Sequence, residues 1–155
     1  MNDVKLLIGN QDVNASNNRT FERKNPVTGE TATVAAAANA ADARKAADAA
    51  AAAFPEWSKM GPGARRKILL KAADIMESKG DQFGQLVLDE TGSTRMWGGF
   101  NAHLAANMLR EAGAMTTQIT GDIIPSDHPG LMAMGVRQPV GVVLGIAPWN
   151  APVIL

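Results

Sequence analysis

Cysteine is absent from the 155 residues, and histidine occurs only twice, as His103 and His128. Without thiols these residues hold no disulfide framework, no thiolate metal site and no cysteine nucleophile. The two histidines form no HExxH segment and no cluster at metal-ligand spacing, so no metal is expected. Neither sign of charge is in excess: 15 Lys and Arg oppose 15 Asp and Glu. The charges are interspersed, which leaves no basic stripe for nucleic acid or an anionic membrane. No apolar run reaches the roughly 18 residues of a membrane span, and the long alanine tract would anchor poorly in lipid. Asn2, Asp3 and Val4 open the chain without the basic and apolar segments of a signal peptide, so a cytoplasmic location is expected. The length suffices for one ordinary domain with its own core.

The first third reads as short strands. Val4 to Ile8 is apolar, Gly9-Asn10 suits a turn, and Val13 follows, which predicts a hairpin. Asn14 to Arg19 is a polar loop. Phe21 to Lys24 and Thr31 to Val34 are partner strands around Asn25–Glu30, the segment NPVTGE. Pro26 there fixes φ and Gly29 can take a positive φ. Strands this short must lean on something larger.

Helices follow. Asn39 is placed to cap a helix, with Asp42 at the position that completes a capping box. Ala40 to about Ala53 is nearly all alanine, the strongest helix former. Phe54 and Trp57 are expected to anchor its far end in the core. Gly61, Pro62 and Gly63 separate it from a helix over about Ala64 to Ser78. Ile68, Leu69, Ala72, Ala73, Ile75 and Met76 make that helix's apolar face, and Arg65, Arg66, Lys67 and Lys71 a solvated one. Gly80 would end it and Asp81 cap the next, where Phe83, Leu86, Val87 and Glu90 share a side. After the ETGST break at Glu90 to Thr94, a long helix from about Met96 to Gln118 carries a stripe of Trp97, Phe100, Leu104, Met108, Ala112 and Met115. Gly98 and Gly99 near its start cost about 1 kcal/mol each relative to Ala, so they imply close packing or room for a ligand. Trp97 beside them is either core or a pocket wall.

Gly121 to Pro129 contains a turn. Asp127 and His128 are adjacent but lack a nucleophile, and His128 reads as a surface histidine. Leu131 to Val136 alternates in part, the pattern of a strand. Pro139 holds Gln138 extended and favours an edge or a crossover. Val140 to Ala147 is continuously apolar, the pattern of a strand buried on both faces of a parallel sheet. Ligands bind at the carboxyl ends of such strands, which puts Asn150 at a binding edge and Pro152 at the start of a helix. Gly141 and Gly145 do not make a nucleotide fingerprint.

Taken together, the IGN turn, NPVTGE, the Ala-rich run into AAFPEW, PGARRKILLKAADIM, DETG and RQPVGVVLGIAPWNAP resemble the N-terminal part of the aldehyde dehydrogenase superfamily. Ala151 in PWNAP, where many relatives carry Phe, and the MWGGF helix resemble the branch acting on aromatic aldehydes such as benzaldehyde, salicylaldehyde or vanillin. The resemblance implies an α/β fold. Residues 1–130 would supply hairpins and helices of the cofactor domain, 131–139 part of the bridging and oligomerisation strands, and 140–155 the first strand and loop of a doubly wound nucleotide fold. It implies that Asn150 stabilises an oxyanion and that Ile146, Ala147, Pro148 and Trp149, with Asn150, line the nicotinamide end of the cofactor cleft. Trp97 would line the substrate pocket. NAD or NADP is the implied cofactor, NAD being favoured. A small aldehyde is the implied substrate, and a homodimer or homotetramer the implied assembly. The nucleophilic cysteine, the general-base glutamate and the glycine-bearing cofactor loop would lie beyond Leu155, so the chain alone is expected to be inactive. A non-catalytic helical binding or assembly module is the alternative. It would behave as a clean monomer with a sharp melt.

Overall fold

The computed structural model describes residues 2–155. Its N-terminal third is built from five short strands: β1 (Asn2–Val4), β2 (Leu6–Ile8), β3 (Gln11–Val13), β4 (Thr20–Lys24) and β5 (Thr31–Ala36). The expected first hairpin is β2 against β3, antiparallel with Leu6 opposite Val13. Gly9 and Asn10 turn it with φ of +59° and +61°. Two positive φ values in succession match the twist of a two-residue hairpin. Lys5 breaks the apolar run, so Val4 leaves the hairpin and pairs instead through β1, parallel to β5.

The partner strands around NPVTGE form as expected, β4 antiparallel to β5. The Asn25 side-chain oxygen accepts from the N–H groups of Val27 and Thr28, at 2.8 and 3.2 Å. Gly29 takes a φ of +77°. The three-stranded sheet, in the order β1-β5-β4, leans on a helix. Its anchor is a hydrogen bond of 2.5 Å from the hydroxyl of Thr33, which is buried, to Glu90 Oε1.

Four helices follow: α1 (Ala40–Lys59), α2 (Pro62–Ser78), α3 (Gly80–Thr91) and α4 (Arg95–Met115). The capping box of α1 is present in full. Asn39 Oδ1 accepts from the N–H groups of Ala41 and Asp42, and Asp42 accepts in return from Asn39 N–H at 3.1 Å. The same carboxylate also accepts from Ser16 N–H, which ties the Asn14–Arg19 loop to the helix start. Asp42 is 3% exposed, and the backbone N–H of Asn39, then that of Ser16, holds its pKa below the usual carboxylate value.

Several expectations about the helices are corrected. The first helix passes beyond the alanine-rich stretch and its two aromatic residues. It runs 20 residues to Lys59 with Pro55 inside. Trp57 is 43% exposed and so does not anchor a core, because beyond its N-terminal turns α1 has almost nothing packed against it. Gly80 opens α3 instead of ending α2, and Lys79 serves as the cap of both. Asp81 makes no cap hydrogen bond and lies in the first turn of α3.

The largest correction concerns α4. Its buried side carries Gly98, Asn101, Ala102, Ala105, Ala106 and Gly113. Of the expected stripe, Trp97, Phe100, Met108 and Met115 are exposed, about a third of a turn round the helix from the buried side. The reason is steric. α4 lies against α2 and α3 so closely that only small residues fit between the backbones. A Cβ on Gly98 would stand 2.5 Å from the carbonyl oxygen of Gly84 in α3. Close packing therefore explains Gly98, while Gly99 faces open space. On the rim between α2 and α4, the guanidinium of Arg110 joins Asp74 at 3.0 Å and Glu77 at 2.6 Å.

Past α4 the chain forms a hairpin, β6 (Asp122–Ile124) against β7 (Ala133–Gly135). The first of these strands was not expected, since its surrounding turn residues obscure a run of only three residues. The terminal stretch departs most from expectation. Val140 to Ala147 is in no strand among the described residues, and Val140, Leu144 and Ile146 are each more than 80% exposed. An apolar strand of this kind is defined by neighbours on both sides, and none lies beside it here.

Two outcomes follow. Gly98→Ala should destabilise the protein by about 1–3 kcal/mol through overpacking against Gly84, whereas Gly99→Ala should be neutral or stabilising by up to ~1 kcal/mol. Urea melts of the two variants would show this, and equal effects would refute the crossing. Because the Asp42 pKa is depressed on folding, its contribution is present above the unfolded value of about 3.9 and is lost as pH falls through the folded value. Asp42→Asn should therefore flatten the stability–pH curve below about pH 4, and an unchanged slope there would count against the cap.

Candidate active-site edge

Trp97 and Asn150 lie far apart in sequence and meet in space. Thr94 starts α4 by accepting from the N–H of Trp97 at 3.2 Å. With Gly98 turned into the crossing with α3, the preceding residue is rotated about a quarter-turn round the helix and projects outward. The Trp97 ring stacks on Phe100, with centroids 5.5 Å apart and planes at 27°. Its indole N–H donates to the main-chain carbonyl of Asn150 at 3.1 Å, across 53 positions.

Asn101, one turn further along α4, is fully buried, and its Nδ2 donates to the Trp97 carbonyl at 2.9 Å. Its Oδ1 has no partner among the described residues. Sequence reasoning passed over Asn101. The available signal was an asparagine inside a helix, four residues after the suspected pocket tryptophan.

Ile146 and Trp149 are 86% and 72% exposed, and Ala147, Pro148 and Asn150 are exposed with them. They form a short apolar rim that ends in an amide. Ala151 behind it is buried, and Leu155 N–H reaches the Ala151 carbonyl at 3.2 Å, one helical turn. The structure thus brings Trp97 to the Asn150 end of this rim.

The rim contains no titratable side chain. The two groups with clearly displaced pKa values are elsewhere: Asp42 at the start of α1, and Arg110, raised by its bonds to Glu77 and then Asp74. His128 lies on the surface, where its backbone N–H donates to Ser126 Oγ. His103 Nδ1 lies 3.7 Å from Glu77. Among the described residues no three His, Cys, Asp or Glu side chains gather as metal ligands. What this edge offers chemically is one amide donor beside uncovered apolar and aromatic surface.

Residues 13–155 match the aldehyde dehydrogenase family. The chain belongs to that family. It is 58% identical over 152 residues to the vanillin dehydrogenase of Pseudomonas sp. strain HR199, covering 98% of this chain and 31% of that protein. It superposes with a TM-score of 0.96 on a salicylaldehyde dehydrogenase from Pseudomonas putida G7 complexed with salicylaldehyde, at 45% identity, covering 99% of this chain and 32% of that one. It also superposes with a TM-score of 0.92 on PnpE in complex with nicotinamide adenine dinucleotide, at 36% identity over 97% and 31% of the two chains. The chain therefore spans about a third of the length of its relatives, and its α/β architecture of four helices and small sheets is that of their N-terminal part. Structures of this family bind NAD or NADP.

Proposed function

We propose that this chain supplies the oxyanion donor and one wall of the nicotinamide site of an enzyme that oxidises an aromatic aldehyde to its acid with NAD or NADP. The observation that carries the proposal is the exposed Ile146–Asn150 rim with Trp97 bonded to its end, in a chain 58% identical to a vanillin dehydrogenase. The alternative of a helical assembly module loses its ground, because residues 13–155 match the aldehyde dehydrogenase family and the chain is 58% identical to a vanillin dehydrogenase.

The chemistry follows from which residues are present and which are not. Oxidation begins when a thiolate adds to the aldehyde carbon and the carbonyl oxygen becomes negative. This chain has no cysteine, so the thiolate comes from outside these residues. The Asn150 side chain carries two N–H donors. A donor aimed at the place where charge develops stabilises the transition state more than the ground state. Ile146, Ala147, Pro148 and Trp149 fit a nicotinamide ring: they are apolar, adjacent and uncovered. When bound, the cofactor supplies the hydride acceptor. Trp97, stacked on Phe100, offers an aromatic face to an aromatic substrate.

NAD in preference to NADP, a cytoplasmic location and assembly as a homodimer or homotetramer belong to the same reading. So does the division into 1–130, 131–139 and 140–155. The pairing of β6 with β7 supports starting the bridging strands earlier, at Asp122.

The reading is tested in the full-length enzyme encoded by the gene. It should form NADH or NADPH from benzaldehyde, salicylaldehyde or vanillin, and a product without a downstream cysteine would sink the proposal. Asn150→Ala should lower kcat about 10²–10³-fold, and a wild-type kcat would remove the oxyanion role. Trp97→Ala should raise KM for benzaldehyde more than for a short aliphatic aldehyde. Equal changes for both substrates would reduce Trp97 to packing.

A further inference from the structure

The bond between Trp97 and Asn150 differs in kind from a substrate contact. Its donor is the indole N–H and its acceptor is the main-chain oxygen of the residue whose side chain is the proposed oxyanion donor. Among the described residues it is the one hydrogen bond that joins residues 140–155 to the helices. The stretch before it, Val140 to Ala147, pairs with nothing and is exposed. Within the described residues, the Asn150 backbone is held beside α4 by this contact and by the buried Ala151 that follows.

The donor end is rigidly built. The Gly84–Gly98 crossing sets which way α4 faces, since a Cβ at position 98 would stand 2.5 Å from the Gly84 carbonyl oxygen. Thr94 caps the turn that holds Trp97, and the buried amide of Asn101 grips the Trp97 carbonyl. The Phe100 ring sets the tilt of the indole. A rigid helix thus presents one N–H to the loop that carries Asn150.

We propose that Trp97 is a positioning residue: its indole N–H holds the Asn150 main chain so that the Asn150 amide is aimed at the oxyanion. This rests on the oxyanion role of Asn150 and adds to the substrate-wall role of Trp97. The physical reason is preorganisation. An oxyanion donor acts fully only if it needs no reorientation as charge develops, and displacements of about 1 Å at such groups can cost 100-fold in rate.

Trp97→Phe keeps an aromatic ring and removes the N–H, so it separates the two roles. In the full-length enzyme, kcat for benzaldehyde should fall about five- to tenfold, in keeping with one lost neutral hydrogen bond, while KM stays within about twofold. The pair Trp97→Phe with Asn150→Ala should be no slower than Asn150→Ala alone, because the tether acts only through that amide. An unchanged kcat in Trp97→Phe, or additive losses in the pair, would overturn the inference. A slow Asn150→Ala beside a normal Trp97→Phe sinks the tether alone, whereas a normal Asn150→Ala sinks the oxyanion reading and the inference with it.

A second measurement needs no catalysis. In the 155-residue chain labelled with ¹⁵N, the Trp97 indole proton should exchange more slowly than those of Trp57 and Trp149. Asn150→Ala should preserve that protection, since the acceptor is a backbone oxygen. Exchange of Trp97 as fast as Trp149 would overturn the tether.

Discussion

Two glycines set the geometry of this molecule. Gly84 and Gly98 let α3 and α4 approach until the backbone of one touches the other. A crossing that close admits alanines, a glycine and one asparagine along the inner side of α4, and it leaves the bulky residues only the outer side. The azimuth of Trp97 follows from its neighbour's constraint. So does its reach to Asn150. The Thr33–Glu90 bond then seats the N-terminal sheet on the same α3, so strands and candidate site are both referenced to one helix pair.

Local chemistry was legible wherever it sufficed to determine structure. Asn39 and Asp42 specify a helix start by their own hydrogen bonds, and Asn25 through Gly29 specify a turn in the same way. Gly9-Asn10 belongs with them. Each needs only a few neighbouring residues, and each formed where the residues demanded.

The failures share a different cause. The stripe from Trp97 to Met115 has helical periodicity, and so does the stripe of small residues a third of a turn away. Hydrophobicity ranks the first as core, but the decisive quantity is how closely two backbones approach, which no single helix reveals. Val140–Ala147 failed because a strand is a relation between segments. Of the candidate site, Asn150 and its apolar rim were reached by resemblance, and Trp97 by the oddity of its glycine neighbours. Their meeting was not reached, nor was the support from Asn101, because both depend on the register of α4 against the loop.

The capped alanine helix has a consequence for anyone watching this chain unfold. α1 draws its stability from backbone propensity and from the Asn39–Asp42 box, with little packed on it over 20 residues. A helix of that length and composition can hold together by local interactions alone. Among the described residues, its ties to the rest run through Ser16 and β2 and not through the crossing of α3 and α4. Circular dichroism follows all four helices, of which α1 supplies 20 residues against 50 in α2, α3 and α4, that is 17, 12 and 21. A probe seated at the crossing is therefore the one that reports the free energy of docking α3 on α4 in a melt, because the circular dichroism signal adds the separate fraying of α1 to it.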